Sequence, residues 1–211
     1  MPKVLSAEEI ICFRNRMCDR ALEAFSAHGV EGISLRSLAT ELGCSRTTPY
    51  RYFKNKADIL AALREREFGR LADVLEASQT EVEDTGERFT ALARSYIRFA
   101  LENPNAYRVM YEVKDQSSED YPSLVAEIMR SSNPMRQLVK TAVADGCMQG
   151  DPKNISYTIW ASLHGLISLH LFDLLGQERS FEELASVMLS SIRQAVGLEL
   201  TGRPAAARTA P

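Results

Sequence analysis

Residues 44–56, CSRTTPYRYFKNK, combine four basic side chains with two tyrosines and contain no acid. The whole chain of 211 residues is mildly acidic, with 25 Lys and Arg against 28 Asp and Glu. Arginine and lysine attract phosphate groups whatever the base sequence, and an acidic side chain on the same face would repel them. The segment therefore favours an anionic partner, and duplex DNA suits its chemistry best.

Each type of side chain in this segment suits a particular contact with DNA. Arg46 and Arg51 can form the paired hydrogen bonds with guanine that discriminate between base pairs. Tyr50 and Tyr52 carry a hydroxyl at the end of a rigid ring, within reach of a phosphate oxygen, and Lys56 lies where the free amides of a new helix favour an anion. Together with hydroxyl residues of the segment and two residues of the preceding helix, the candidate DNA contacts are Ser34, Arg36, Ser45, Arg46, Thr47, Thr48, Tyr50, Arg51, Tyr52 and Lys56.

The basic residues are concentrated at the front of the chain. Residues 1–58 hold nine Lys and Arg against seven acids, a net charge of +2, so the remainder carries −5. A basic front on an acidic body indicates that the anionic partner meets the front. The competing interpretation is that the segment is an ordinary solvated face.

Other functions lack the residues they need. The sequence has no glycine-rich phosphate loop, no G-x-S-x-G and no H-E-x-x-H motif, and its three histidines are not paired with cysteines or carboxylates. Its four cysteines form no CxxC pair, so neither a bound metal nor a cofactor is expected. So few cysteines in a chain of this length also argue against a disulfide framework, which predicts a reducing, cytoplasmic setting. A helical enzyme is therefore the less favoured alternative, and an interaction module without DNA binding would leave the cationic segment without a role.

Helix start and stop signals frame this segment. Ser6 and Glu9 fit a capping box that opens a first helix, and Gly29 ends it. Ser34 is expected to cap a short second helix, which ends at Gly43.

A third short helix is expected to follow, capped by Ser45 and ending near Phe53, whose ring closes the core beneath. Two short helices joined by a tight glycine turn form a helix-turn-helix, and the second helix of such a pair enters the major groove. We call residues 45–53 the reading segment.

Helical periodicity continues through the rest of the chain, and no segment shows the sustained alternation of a strand. Pro134 predicts a kink or a break in one of the later helices. These later helices are expected from Asn55 to Leu75 and over residues 87–102, 105–111, 123–130, 154–175 and 181–196.

The elements predict an all-α protein with two domains. A three-helix helix-turn-helix domain is assigned to residues 1–54, and a helical bundle for ligand binding and dimerisation to residues 55–200. The last stretch, residues 201–211, has nothing to pack and is expected to be disordered.

Residues 154–172 form a run of 19 without Lys, Arg, Asp or Glu, which is long enough to span a bilayer. The run contains two histidines and several hydroxyl side chains, which hydrocarbon tolerates poorly, so a helix buried in protein is the better interpretation. Because its apolar residues surround the helix axis, this helix needs cover on every side. A second copy of the chain is the simplest cover, which predicts a two-fold homodimer through the helices near 154–175 and 181–196.

The bundle carries aromatic and methionine side chains that could line a cavity for a small apolar or aromatic molecule. These candidates are Tyr96, Phe99, Tyr107, Met110, Tyr111, Tyr157, Trp160 and His164. The alternative, that they are ordinary core residues, stays open. His164 and His170 are six residues apart and point in different directions, which argues against a shared metal.

The stretch AFSAHGVEGISLRSLATELGCSRTTPYRYFKNKADIL resembles the N-terminal DNA-binding domain of TetR-like transcriptional regulators, and the resemblance covers about residues 7–60. It shares their Phe-then-Gly turn, the Ala-x-x-x-Gly spacing, the hydroxyl-rich third helix and the Tyr-x-Tyr-Phe close. Pro49 departs from the pattern, where leucine or valine is more usual, and it can delay the start of the third helix beyond Ser45. Further along, Trp160 with His164 and Gly165 is similar to the WHG type of C-terminal domain in this family.

The resemblance implies a DNA-binding transcriptional regulator. The residues that fall at the family's DNA-contacting positions are Thr47, Thr48, Tyr50, Arg51, Tyr52 and Lys56. It also implies a four-helix dimer interface and, most commonly, repression that a small effector relieves; two copies on a symmetric axis would read a palindromic operator. A DNA-binding dimer without an effector is the alternative.

Overall fold

The computed structural model describes residues 6–79, 84–113, 120–176 and 178–198, and every regular element assigned within these ranges is helical. The predicted all-α fold is confirmed. The α-helices of these ranges are α1 Ala7–His28, α2 Leu35–Glu41, α3 Lys56–Ala77, α4 Thr85–Glu102, α5 Pro104–Glu112, α6 Pro122–Ala144, α7 Pro152–Leu171 and α8 Phe181–Ala195, and short 3-10 helices cover Val30–Gly32 and Pro49–Arg51. The predicted tail, residues 201–211, lies outside the described residues.

Helix α1 begins and ends where the sequence predicts. The Ser6 hydroxyl accepts the Glu9 amide at 3.1 Å, and the Glu9 carboxylate accepts the Ser6 amide at 2.9 Å, which completes the capping box. Gly29 has a φ of 65° and donates its amide to the Phe25 carbonyl at 2.8 Å. These signals act within four residues, so neighbouring sequence is enough to specify them.

The turn after α2 also follows the prediction. Gly43 has a φ of 65°, which lets the Cys44 amide reach back to the Ala39 carbonyl at 3.0 Å. Ser34 is the N-cap residue of α2, but the predicted cap through its side chain is wrong, because its hydroxyl accepts no helix amide. Ser34 is exposed, so water can satisfy the free amides there.

The reading segment is not the α-helix that the sequence predicts. Its central residues form a 3-10 helix that begins at Pro49. Proline has no amide hydrogen and cannot bond to the carbonyl of residue i−4, which here belongs to Ser45. That carbonyl accepts the Thr48 amide at 2.9 Å instead, and the Tyr52 amide bonds to the Pro49 carbonyl at 2.9 Å. The segment is therefore a run of tight turns.

One compact unit contains the described residues through Arg70 together with Asn103–Ile128. Phe53 is 1% exposed and packs in the core of this unit, so its predicted role is confirmed. Buried side chains of the same core come from α1, α2, α3 and α5, among them Met17, Phe25, Leu38, Ile59, Leu63 and Val109. The domain boundary at residue 54 stays a prediction.

An ion-pair network around one buried carboxylate links helices of this unit. Glu67 of α3 is fully buried, and its carboxylate contacts Arg66 at 2.9 Å and Arg70 at 2.6 Å. Arg66 also pairs with Asp19 of α1 at 2.7 Å, and Arg70 donates to the Asn103 side chain, at the start of α5, at 3.0 Å. The network thus ties α1 and the start of α5 to α3.

The other compact unit contains Leu71–Glu102 and the described residues from Met129 onward. Its α4 buries Phe89, Leu92 and Phe99, and its α7 buries a stripe that repeats every four residues. That stripe consists of Ile155, Ile159, Leu163 and Ile167. Among the residues that the structure describes, this stripe is the buried face of α7.

Helix α6 is continuous from Pro122 to Ala144, so of the kink or break predicted at Pro134 the break is wrong, and the kink stays a prediction. Proline removes one backbone hydrogen bond, but the residues on both sides of it are held by packing, with Ser131 and Leu138 buried. Burial of these flanking residues outweighs the lost hydrogen bond.

Helix α7 opens at Asp151, whose carboxylate accepts the Asn154 amide at 2.8 Å. It ends at Leu171, four residues before the predicted end, because Asp173 has a φ of 54° and cannot continue a helix. Among the helices described, none has the combination of length and hydropathy that crossing a bilayer would require.

Candidate DNA-binding surface

The reading segment presents its polar side chains to solvent and its apolar ones to the core. Arg46, Thr47 and Arg51 are exposed, and Tyr50 is 51% exposed. Pro49 is buried beneath them. The turn geometry therefore leaves these four side chains, which the sequence assigned to DNA, open to solvent.

Three hydroxyls of the segment are hydrogen-bonded to one another. The Ser45 hydroxyl lies 3.0 Å from the Thr47 hydroxyl and 2.9 Å from the Thr48 hydroxyl. Each hydroxyl keeps a further donor or acceptor position for a base or a phosphate oxygen. The mutual bonds restrict the rotamers and so reduce the entropy lost on binding.

Helix α1 holds the end of the reading segment. The Arg14 guanidinium donates to the Tyr52 carbonyl at 2.7 Å and lies 4.5 Å from the centre of the Phe53 ring. Phe13 stacks on the Tyr52 ring with centroids 4.3 Å apart. The sequence reading did not single out Arg14, since no local pattern links it to residues almost forty positions away.

The chain leaves the reading segment through a capped helix start. The Asp58 amide donates to the Asn55 side chain at 3.0 Å, which confirms the predicted opening of α3. The Asp58 carboxylate reaches further back and accepts the Lys54 amide at 2.8 Å. These two bonds fix the backbone directly after the reading segment.

Charge at this surface is largely uncompensated. Within the described part of the chain, Arg36, Arg46 and Arg51 are exposed and form no ion pair. Lys56 lies 3.5 Å from the Glu31 carboxylate, so its charge is partly balanced. The free guanidinium groups give the surface the positive potential that attracts a phosphate backbone.

The remaining predicted DNA contacts differ in their exposure to solvent. Ser34 is exposed at the start of α2, beside Arg36. Thr48 and Tyr52 are half-buried, and the Tyr52 ring is engaged by Phe13. The structure thus brings most of the predicted set to the surface and gives Tyr52 a packing contact as well.

The predicted ligand-lining residues are divided between the two compact units. Tyr107 and Met110 are buried in the first unit, where Tyr107 and Tyr111 have ring centroids 4.9 Å apart. Tyr96 and Phe99 are buried in the second.

The other three members of that set lie on α7, in the second unit. Tyr157 is 70% exposed and Trp160 is 41% exposed. Trp160 stacks on His164 with centroids 5.6 Å apart, as expected for residues one turn apart. Burial lowers the pKa of His164 below its ordinary value, which favours the neutral imidazole.

Comparison with known proteins identifies both parts of the chain. Residues 18–63 match the sequence model described as bacterial regulatory proteins of the tetR family, and residues 89–192 match the tetracyclin repressor-like C-terminal domain. The second match contains Trp160, His164 and Gly165. The first match covers the predicted helix-turn-helix, and the second covers most of the helices that follow it.

Relatives of known sequence or structure point the same way. An uncharacterized HTH-type transcriptional regulator of Mycobacterium tuberculosis is 29% identical over 100 residues, which are 47% of this chain and 50% of that protein. The match thus spans about half the length of this curated relative. A protein with unknown function from Rhodococcus sp. RHA1 aligns with a TM-score of 0.77 and 27% identity, over 93% of this chain and 99% of the other.

The TetR family transcriptional regulator PfmR from Thermus thermophilus aligns with a TM-score of 0.67 and 25% identity, over 87% of this chain and 99% of that one. These relatives are transcriptional regulators rather than enzymes wherever their names state a function. The chain belongs to the TetR family of DNA-binding transcriptional regulators.

Proposed function

We propose that this protein is a cytoplasmic repressor that binds a palindromic operator as a homodimer and is released by a small effector. The observation that carries the proposal is the outward face of the reading segment, where Arg46 and Arg51 stand free of ion pairs above a buried Pro49. A symmetric dimer would present two such segments to successive major grooves, which accounts for a palindrome.

The exposed face of α7 supports a dimer. On the side away from its buried stripe it carries Ala161 and Gly165, and a methyl group added to Gly165 would meet nothing within 4 Å. Large apolar side chains are also exposed on α7, directly after it and on α8: Tyr157, Trp160, Leu169, Phe172, Leu174 and Val187. Small residues allow two helices to approach closely, and an apolar face of this kind marks a protein interface.

The dimer is tested with Gly165→Arg, which places a charge and a long side chain at the centre of that face. We expect sedimentation to show a dimer for the wild type and a monomer for the variant. Gln137→Arg, at an exposed position on α6, is the control and should remain dimeric. A wild-type protein that sediments as a monomer at micromolar concentration contradicts the proposal.

Operator binding is tested on DNA selected from a random pool by the wild-type protein. Arg51→Ala is expected to relax the preference at one base pair, since a paired arginine–guanine contact discriminates by about 1–3 kcal/mol. Lys56→Ala should weaken binding to all sequences alike and lower the salt slope by about 1. Lys140→Ala, exposed on α6, is the control. Binding that does not weaken as salt rises would exclude phosphate contacts as its source.

Release by an effector is supported by the aromatic side chains buried in the bundle, such as Tyr96 and Phe99. An effector lowers operator affinity only if it binds the DNA-free conformation more tightly. We expect at least one apolar or aromatic compound both to raise the melting temperature and to weaken operator binding.

The exposure of Tyr157 and Trp160 favours a second candidate, a DNA-binding dimer without an effector. In that case these rings belong to the dimer interface and line no cavity. A compound screen that changes neither the melting temperature nor operator affinity would support this second candidate.

A further inference from the structure

Tyr121 reaches the exit of the reading segment from a distant part of the sequence. It directly precedes α6, and its hydroxyl donates to the Asp58 carboxylate at 3.1 Å, across 63 positions. Both residues belong to the first compact unit. The contact therefore lies within the unit that carries the DNA-binding surface.

The two oxygens of Asp58 have different partners. Oδ1 accepts the Tyr121 hydroxyl, and Oδ2 accepts the backbone amide of Lys54 at 2.8 Å. Lys54 is the residue directly after the reading segment. Asp58 is only partly buried, so without a second partner its carboxylate could rotate toward water and release the Lys54 amide.

A second, independent hydrogen bond fixes the backbone at the end of the reading segment. Arg14 of α1 binds the Tyr52 carbonyl, two residues before Lys54. The backbone is thus fixed at a carbonyl by α1 and at an amide by Asp58. Of these two hydrogen bonds, the one from the Lys54 amide to Asp58 is supported by Tyr121, the residue before α6.

The start of α6 is itself closely seated on α3. A methyl group added to Gly69 of α3 would lie 3.2 Å from the Glu127 carboxylate of α6, tighter than an ordinary contact. Burial and then the hydrogen bond to Asp58 raise the pKa of Tyr121 above its ordinary value, so the phenol keeps the proton that it donates. The first turns of α6 thus lie against α3, and Tyr121 keeps its proton for the hydrogen bond to Asp58.

We propose that Tyr121 is a positioning residue for DNA reading: through Asp58 it holds the backbone at Lys54 and so sets the exit of the reading segment. This inference rests on the proposed operator binding by that segment. Through the Asp58 carboxylate, the residue before α6 is thus connected to the backbone directly after the reading segment.

The test is Tyr121→Phe, which removes the hydroxyl and keeps the ring. Hydrogen exchange of the Lys54 amide, followed by NMR in the full-length protein, should accelerate about 3- to 10-fold, the range expected for one hydrogen bond. Operator Kd should rise by a similar factor of about 3 to 10, while the melting temperature changes little. Ser123→Ala, which removes an exposed hydroxyl from the first turn of α6 in the same unit, is the matched control and should leave both values unchanged.

A double-mutant cycle with Asp58→Asn separates this role from general packing. If Tyr121 acts through Asp58, adding Tyr121→Phe to Asp58→Asn should produce no further loss of operator affinity. Full additivity of the two changes would overturn the inference, and so would unchanged exchange at Lys54 in Tyr121→Phe.

The two proposals fail in distinguishable ways. A wild-type protein that selects no DNA overturns the proposed function, and that failure is recognisable because Lys54 exchange still responds to Tyr121→Phe. A wild-type protein that binds its operator, while Tyr121→Phe leaves Kd unchanged, overturns this inference alone.

Discussion

The guanidinium of Arg14 donates a 2.7 Å hydrogen bond to the backbone carbonyl of Tyr52, which lies 38 positions later in the chain. The same guanidinium lies over the Phe53 ring at 4.5 Å. One side chain of α1 thus fixes both the backbone and the packing at the end of the reading segment. We infer that Arg14 positions the predicted DNA contacts of the reading segment.

We therefore expect Arg14→Ala to lose operator affinity. A hydrogen bond from a charged group contributes roughly 1.5–3 kcal/mol, and about 1.4 kcal/mol corresponds to a factor of ten, so the loss should be about tenfold to a hundredfold. Fluorescence anisotropy on the selected operator measures it. Arg20→Ala is the control, because Arg20 is exposed on the same helix and pairs with Glu23 rather than with any part of the reading segment that the structure describes. Equal losses for the two variants would contradict a positioning role for Arg14.

Glu67→Gln is expected to destabilise the first unit. The substitution keeps the shape of the side chain but removes the charge that Arg66 and Arg70 surround. Gln replaces an ion at a fully buried position and weakens its charge-assisted hydrogen bonds, which we expect to cost about 1.5–3 kcal/mol, because Arg66 keeps its pair with Asp19 and Arg70 is half-exposed. Urea unfolding measures the loss. Glu23→Gln, at an exposed ion pair, should change the free energy of unfolding by less than about 0.5 kcal/mol, and a similarly small effect at Glu67 would refute the network's role.

Cys12 and Cys18 should differ sharply in reactivity although they lie on the same helix. Cys12 is exposed, whereas burial raises the pKa of the Cys18 thiol to about 11. Only the thiolate reacts, so Cys18 combines a scarce reactive form with little access. Iodoacetamide labelling followed by mass spectrometry should modify Cys12 in the folded protein and Cys18 only after unfolding. Equal labelling rates under native conditions would show that the core of α1 opens readily.

His164 should make stability fall as the solution becomes acidic. Because burial lowers its folded-state pKa, the unfolded chain takes up a proton at about pH 6.5 while the folded chain still holds a neutral imidazole. The contribution is thus present above about pH 6.5 and is lost as pH falls through that value toward the folded pKa. His164→Gln should flatten the decline of melting temperature between about pH 7 and pH 5.5.

The exposed His28, on α1, provides the comparison for this measurement. His28→Gln should keep the wild-type dependence of melting temperature on pH. If His164→Gln also keeps that dependence, partial burial of the imidazole does not contribute to acid sensitivity.

Local chemistry explains what could be predicted for the fold. The capping box at Ser6, the glycine stops at Gly29 and Gly43 and the opening of α3 at Asn55 all depend on groups within a few residues of one another. The outward placement of Arg46 also followed from sequence, since an isolated cationic segment cannot be buried without partners. The same local reasoning identified Pro49 as a departure but did not predict that the segment would become a 3-10 helix.

The amino-acid sequence by itself determined the all-helical architecture, the helix-turn-helix and the surface that carries its basic residues. Only the tertiary structure decided which side chains hold that surface in place, namely Arg14 on the Tyr52 carbonyl and Tyr121 on Asp58. It also decided that α6 continues through Pro134. The physical reason is distance along the chain. Caps and turns are formed by residues that are neighbours in sequence. The hydrogen bonds of Arg14 and Tyr121 join residues that become close only after the core has packed.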